Sequence, residues 1–64
     1  MKIVLNGDTR NVSAATLADL LVECGVTGRV ATAVNEDFVP AALREDHKIK
    51  DGDRIEIVAP MQGG

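Results

Sequence analysis

Apolar residues open the chain in a short run, Ile3-Val4-Leu5, that Asn6-Gly7-Asp8 then interrupts. A β-branched, aliphatic segment bounded in this way predicts a strand over 1–6, with Gly7-Asp8 supplying the turn. Thr9 to Val12 can return antiparallel to it, which makes a hairpin. The period then changes. Leu17, Leu20, Leu21 and Cys24 fall at i, i+3, i+4 and i+7 and so share one face of a helix. Thr16 is placed to cap its start, with Asp19 three residues on, where a capping box carries Glu or Gln. Gly25 ends it as a left-handed cap. Two turns of helix are too few to stand alone, so the leucine stripe must pack on a sheet.

The second half of the chain reads as strands and turns. After a loop at Thr27-Gly28-Arg29, residues 30–34 (VATAV) form a third strand, and Asn35-Glu36-Asp37 turns the chain into a short extended piece at Phe38-Val39. Pro40 interrupts it, 41–45 can make a single helical turn, and Asp51-Gly52-Asp53 is a strong turn signal before the last strand, 54–59 (RIEIVA). Pro60 has no amide hydrogen and should stop that strand near Ala59. Residues 1–59 are thus expected to be one domain and 60–64 a flexible tail. The order is hairpin, helix, strand, short strand, strand, with one main helix across one face of a mixed sheet. That is an α+β arrangement of the β-grasp, ubiquitin-like type. The last strand is expected in the middle, beside the first. Ile3, Leu5, Ile55 and Ile57 would then meet the helix stripe, leaving Val4 and Val58 on the outer face. Because 30–34 is apolar on both parities, that outer face should carry an aliphatic patch centred on Val4 and Val58, the expected partner-binding surface.

Composition narrows the chemistry. Val, Ile, Leu and Phe make up 18 of the 64 residues, about 28%, above the roughly 20% below which disorder is expected. A domain this small buries only about 60% of its unfolded surface. A deep catalytic cleft of its own is therefore not expected, and no residue is assigned a catalytic role. A single cysteine excludes an intramolecular disulfide, a four-thiolate zinc site and a cysteine-ligated iron–sulfur cluster. It suits a reducing cytosol, and cytoplasmic residence is the expectation. The opening apolar run is too short for a signal peptide or a bilayer span. A net charge of −3 with one aromatic residue argues against nucleic acid, whose backbone calls for clustered cations.

Candidate chemistry concentrates in the tail, Met61-Gln62-Gly63-Gly64. Five residues from Pro60 to Gly64, fully extended, reach at most about 17 Å. Glycine lacks a Cβ and can thread a narrow channel. An α-carboxylate with a pKa of about 3.3 to 3.7 is an anion at neutral pH and a poor electrophile. It must be activated, as by ATP in an acyl-adenylate that sulfur or another nucleophile then displaces.

From MKIVLNG through Thr16-Leu17-x-x-Leu20-Leu21, Ala33-Val34-Asn35 and Val39-Pro40 to Asp51-Gly52-Asp53 and Gln62-Gly63-Gly64, the chain resembles the ubiquitin-like sulfur carriers, and most closely the ThiS family of thiamin biosynthesis. The resemblance implies that a partner enzyme adenylates the Gly64 carboxylate with ATP, that an upstream donor converts it to a thiocarboxylate, and that thiazole synthase takes the sulfur. It implies no bound cofactor and no metal. Ala41 stands where such proteins often carry a basic residue. The small subunit of molybdopterin synthase shares the β-grasp and terminal diglycine, other sulfur-acceptor pathways are open, and a protein modifier or plain interaction module is a reading of another class. Elsewhere the plain readings prevail. Cys24 lies on the leucine stripe, which favours a buried structural thiol over a sulfur relay. His47 is expected to be solvated, and Lys48, Lys50, Asp51, Asp53 and Arg54 to form a solvated edge.

Overall fold

The computed structural model describes residues 1–59. Five strands, β1 (Lys2–Leu5), β2 (Asp8–Asn11), β3 (Ala31–Val34), β4 (Asp37–Val39) and β5 (Arg54–Val58), surround one helix, α1 (Leu17–Glu23), and a 3₁₀ turn, Ala41–Leu43. The sheet order is β2-β1-β5-β3-β4. β5 runs parallel to β1, and every other pairing is antiparallel. The last strand therefore sits in the centre, beside the first, as its alternation with β1 predicts.

Both hairpins close through two-residue loops that share a sequence pattern, Leu5-Asn6-Gly7-Asp8 and Val34-Asn35-Glu36-Asp37. The loop residues have positive φ: 49° and 88° at Asn6 and Gly7, and 51° and 74° at Asn35 and Glu36. These are type I′ turns, which need the left-handed region at both central positions and match the twist of the flanking strands. The first turn therefore lies one residue earlier than expected. Asp8 joins β2 opposite Leu5, and Asp37 joins β4 opposite Val34.

The helix follows its signals. Thr16 Oγ1 accepts a hydrogen bond from the Asp19 amide at 3.1 Å. At the other end Gly25, φ 71°, donates to the Val22 carbonyl while Val26 donates to Leu21, the paired bonds of a Schellman motif. The stripe is asymmetric. Leu17 and Leu20 are fully buried, whereas Leu21 and Cys24 are half-buried. The inner pair packs on Ile3, Leu5 and Ile55, and Val12, Ala14, Val34, Val39 and Ile49 complete the core. Ile57 packs against this cluster but is only half-buried, because β1 pairs β5 no further than Leu5 opposite Ile55.

Among the described residues every buried side-chain nitrogen and oxygen has a hydrogen-bond partner. Thr32 Oγ1 donates to the Val39 carbonyl at 2.8 Å and accepts from Arg44 Nε at 2.9 Å. Asp53, expected on a solvated edge, is instead buried. Its carboxylate accepts from Asn35 Nδ2 at 3.0 Å and from the Lys50 amide at 2.8 Å, joining the β3–β4 turn to the loop that enters β5.

Glu36 occupies a left-handed position that glycine fills without a Cβ clash, and it pairs with Arg54 at 3.0 Å on an exposed surface, where such pairs contribute little. Glu36→Gly is therefore expected to hold or raise the melting temperature, by up to about 5 °C for roughly 1 kcal/mol of relieved strain. A clear fall in a calorimetric melt would show that the ion pair outweighs the strain.

Candidate functional site

The helix covers one face of the sheet, and the opposite face is open. Because Ile55, Thr32, Val34 and Val39 point to the core, strand alternation sends Arg54, Glu56 and Val58 of β5, Ala31 and Ala33 of β3, Phe38 of β4 and Val4 of β1 to the outer face. Val58 is 59% exposed and Phe38 67% exposed. Val58 stands opposite Ala31, and Phe38 opposite Ala33. Val58 and Ala31 make an apolar area where β5 finishes, and Phe38 lies two residues back along the sheet, in the row of Ala33 and Glu56.

Val4 does not belong to that area. The parallel register sets it opposite Arg54, four residues before Val58, or about 13 Å at strand rise. Its surroundings are a shallow groove of about 260 Å³ lined with Gly7, Glu36, Arg54, Ile55 and Glu56. The expected continuous aliphatic patch is thus divided by Glu56. In β3 it is built from alanines, since Val34 points inward. Phe38 supplies the area that the sequence reading assigned to valines. The alternation Phe38-Val39 was its signal, but the parity became readable only through the Thr32–Val39 pairing.

The tail residues Met61, Gln62, Gly63 and Gly64 lie outside the described residues, so their expected role is taken up below. Their root is described. β5 ends at Val58, and the last backbone groups it turns toward β1, those of Ile57, are held by a residue that sequence reasoning missed. Asn6 Oδ1 accepts from the Ile57 amide at 2.9 Å, and Asn6 Nδ2 donates to the Ile57 carbonyl at 3.2 Å.

Cys24 packs against the core from the helix side of the sheet, opposite to Val58. Its Sγ accepts a 3.7 Å contact from Arg10 Nη1. His47, expected to be solvated, is half-buried. Its carbonyl accepts from the Leu17 amide at 2.9 Å, which ties the loop to the helix start. Among the described residues no set of three or more His, Cys, Asp or Glu could hold a metal ion. No helix there is long and apolar enough to cross a membrane.

A mixed five-stranded sheet with a parallel central pair and one helix across one face defines a ubiquitin-like β-grasp protein. The family model described as ThiS family matches residues 3–64. The chain is 41% identical to the sulfur carrier protein ThiS of Thermus thermophilus over 61 residues, covering 94% of this chain and 95% of that protein. It is 46% identical over 66 aligned residues to a thiazole synthase of Paramagnetospirillum magneticum, where it spans all of this chain but only 20% of that protein. The crystal structure of the thiamine biosynthesis protein ThiS from Geobacter metallireducens superposes with a TM-score of 0.85 at 26% identity, covering 100% of both chains. The chain belongs to the ThiS family and is a sulfur carrier of thiamin biosynthesis.

Two substitutions check the assignment of faces. Val58→Asp should change stability by no more than about 0.5 kcal/mol, as exposed positions do. Ile57→Asp, at the core margin, should cost about 2 kcal/mol or more by desolvating a carboxylate. Denaturant melts giving the reverse order would invert the register. Cys24→Ala should still load sulfur fully while losing about 1 kcal/mol of packing. A folded mutant that fails to load, measured by intact mass, would make Cys24 a relay.

Proposed function

We propose that the Gly64 carboxylate is the sulfur-carrying group. A ubiquitin-activating-like enzyme transfers AMP to it from ATP with release of pyrophosphate. A sulfur nucleophile supplied by an upstream donor attacks the acyl carbon, AMP leaves, and a C–S bond replaces the activated C–O bond. The resulting thiocarboxylate presents a sulfur nucleophile at neutral pH, held covalently instead of released as sulfide. The chain is a co-substrate that binds no cofactor; its partners are the catalysts. The sulfur acceptor is thiazole synthase, and the setting is the cytoplasm. The single observation that carries this reading is the family match, which runs through the diglycine to Gly64. The likeness to a fifth of a thiazole synthase supports that acceptor.

Docking falls to the outer face, with Val58 and Phe38 as two apolar anchors on either side of β3 and Val4 in the groove beside Arg54. The net charge of −3 favours partner surfaces of basic character. Gln62, Met61 and Gly63 carry Gly64 from the sheet into the partner's active site.

Intact mass after incubation with ATP, sulfide and a cell extract tests the reading. One oxygen replaced by sulfur is the expected product. A ladder of larger adducts would mean a protein modifier, and no change would mean an interaction module. Two variants localise the chemistry. A folded chain lacking Gly64 should give no ATP–pyrophosphate exchange with the activating enzyme, and normal exchange would exclude tail activation. Val58→Asp should weaken calorimetric affinity for a partner at least tenfold, about 1.4 kcal/mol. Unchanged affinity would move docking off this face.

A further inference from the structure

The β1–β5 ladder stops short of the end of β5, and the way it is completed bears on how the tail is presented. Along a strand the N–H and C=O of successive residues point alternately to the two neighbouring strands. The Ile55 carbonyl accepts from the Asn6 amide, on the β1 side, and the Arg54 carbonyl accepts from the Asn35 amide, on the β3 side. Ile57 follows Ile55, so both of its backbone groups face β1. At that level β1 has already turned away, because Asn6 is left-handed, φ 49°, and begins the turn to β2. The β3 ladder, which runs to Ala31 opposite Val58, cannot serve groups that point the other way. The Asn6 carboxamide fills both places, accepting from the Ile57 amide at 2.9 Å and donating to its carbonyl at 3.2 Å. One side chain thus substitutes for two rungs of a parallel ladder, and it does so one residue before the strand ends.

We propose that Asn6 is a positioning residue for the carrier reaction: its carboxamide holds β5 on its β1 edge out to Ile57 and thereby fixes the direction of the strand end from which the tail is offered to a partner. The assignment rests on the reading that Gly64 is activated in a partner's site. With the clamp, the root of the tail is fixed on two edges. Without it, the backbone groups of Ile57 have lost their partner and the end of β5 is held from the β3 side alone, through its neighbours Glu56 and Val58. A tilt of about 10° at the root carries the tip of a fully extended tail of about 17 Å through roughly 3 Å, and misplacement of about 1 Å at a reacting centre can cost on the order of a hundredfold in rate. Asparagine suits the position on two counts, since it tolerates the left-handed conformation and carries a donor and an acceptor on one planar group. Glycine would meet the first requirement and fail the second.

The test is ATP–pyrophosphate exchange with the activating enzyme, read as kcat and KM separately, for the wild type, Asn6→Gly and Asn6→Asp. Asn6→Gly keeps the turn and removes the clamp. Its kcat should fall at least tenfold at a temperature where the chain is fully folded, with KM changed less than threefold. Asn6→Asp keeps the acceptor for the Ile57 amide and loses the donor, so its kcat should lie between the two and give a result even if the glycine variant folds poorly. In chains lacking Gly63 and Gly64, the wild type and Asn6→Gly should bind the enzyme with equal affinity, because the docking face is untouched. Unchanged kcat in both variants would overturn the assignment while leaving tail activation standing, as would a loss confined to melting temperature. Absence of exchange with the wild-type chain would overturn the activation reading and the assignment with it.

Discussion

Everything in this small sheet hangs on the central strand, β5. It pairs parallel with β1 on one edge and antiparallel with β3 on the other, so it joins two hairpins that have no other ladder between them among the described residues. Its Ile55 is almost wholly buried, against Leu17 and Leu20 of the helix and Ile3 and Leu5 of β1. The two hairpin turns reinforce the junction in the same way. Asn35 accepts from the Arg54 amide through Oδ1 and donates to Asp53 through Nδ2 at the start of the strand, and Asn6 brackets Ile57 near its end. Two asparagines, each the first residue of a type I′ turn, thus fasten both ends of one strand. A domain with few core residues gains a rigid centre from side chains that local turn geometry already required.

This arrangement links fold to function. On the proposed reading the carrier offers its own chain end to other proteins, which calls for a firm root for the tail and a face for docking. The central strand supplies the root, and the face opposite the helix carries Val58 and Phe38, both exposed. The helix side is committed to packing, and there Cys24 meets Arg10 and the core.

Much of the fold was legible in the sequence because it is encoded locally. The Thr16 cap, the leucine spacing and Gly25 specify the helix, and the alternation in Lys2–Leu5 and Arg54–Val58 pairs the first and last strands. What escaped was set by contacts between distant segments. Val12, Ala14 and Ile49 lie in the core although they belong to no strand or helix. The backbone bonds that place them, such as Ile49 N–H to the Ala15 carbonyl, leave no periodic trace. Asp53 reads as a turn residue among charges, and only the approach of Asn35 and Lys50 makes its burial tolerable. Parity placed Val4 and Val58 on one face correctly, but parity does not fix register, and the parallel offset sets them apart. Of the candidate site, the exposed outer face was readable in part, whereas the Asn6 clamp was hidden behind a turn signal that fully accounts for an Asn-Gly pair.

The claim that β5 is held on both edges to its end is tested most directly by native-state hydrogen exchange of the unmodified chain, read at single amides. The Ile57 amide, whose partner is the Asn6 side chain, should be protected to within about tenfold of Ile55 and exchange through global unfolding, as core-strand amides do. Exchange of Ile57 by local fraying, with Ile55 still fully protected, would show that the strand is loose before the tail begins and would contradict the account.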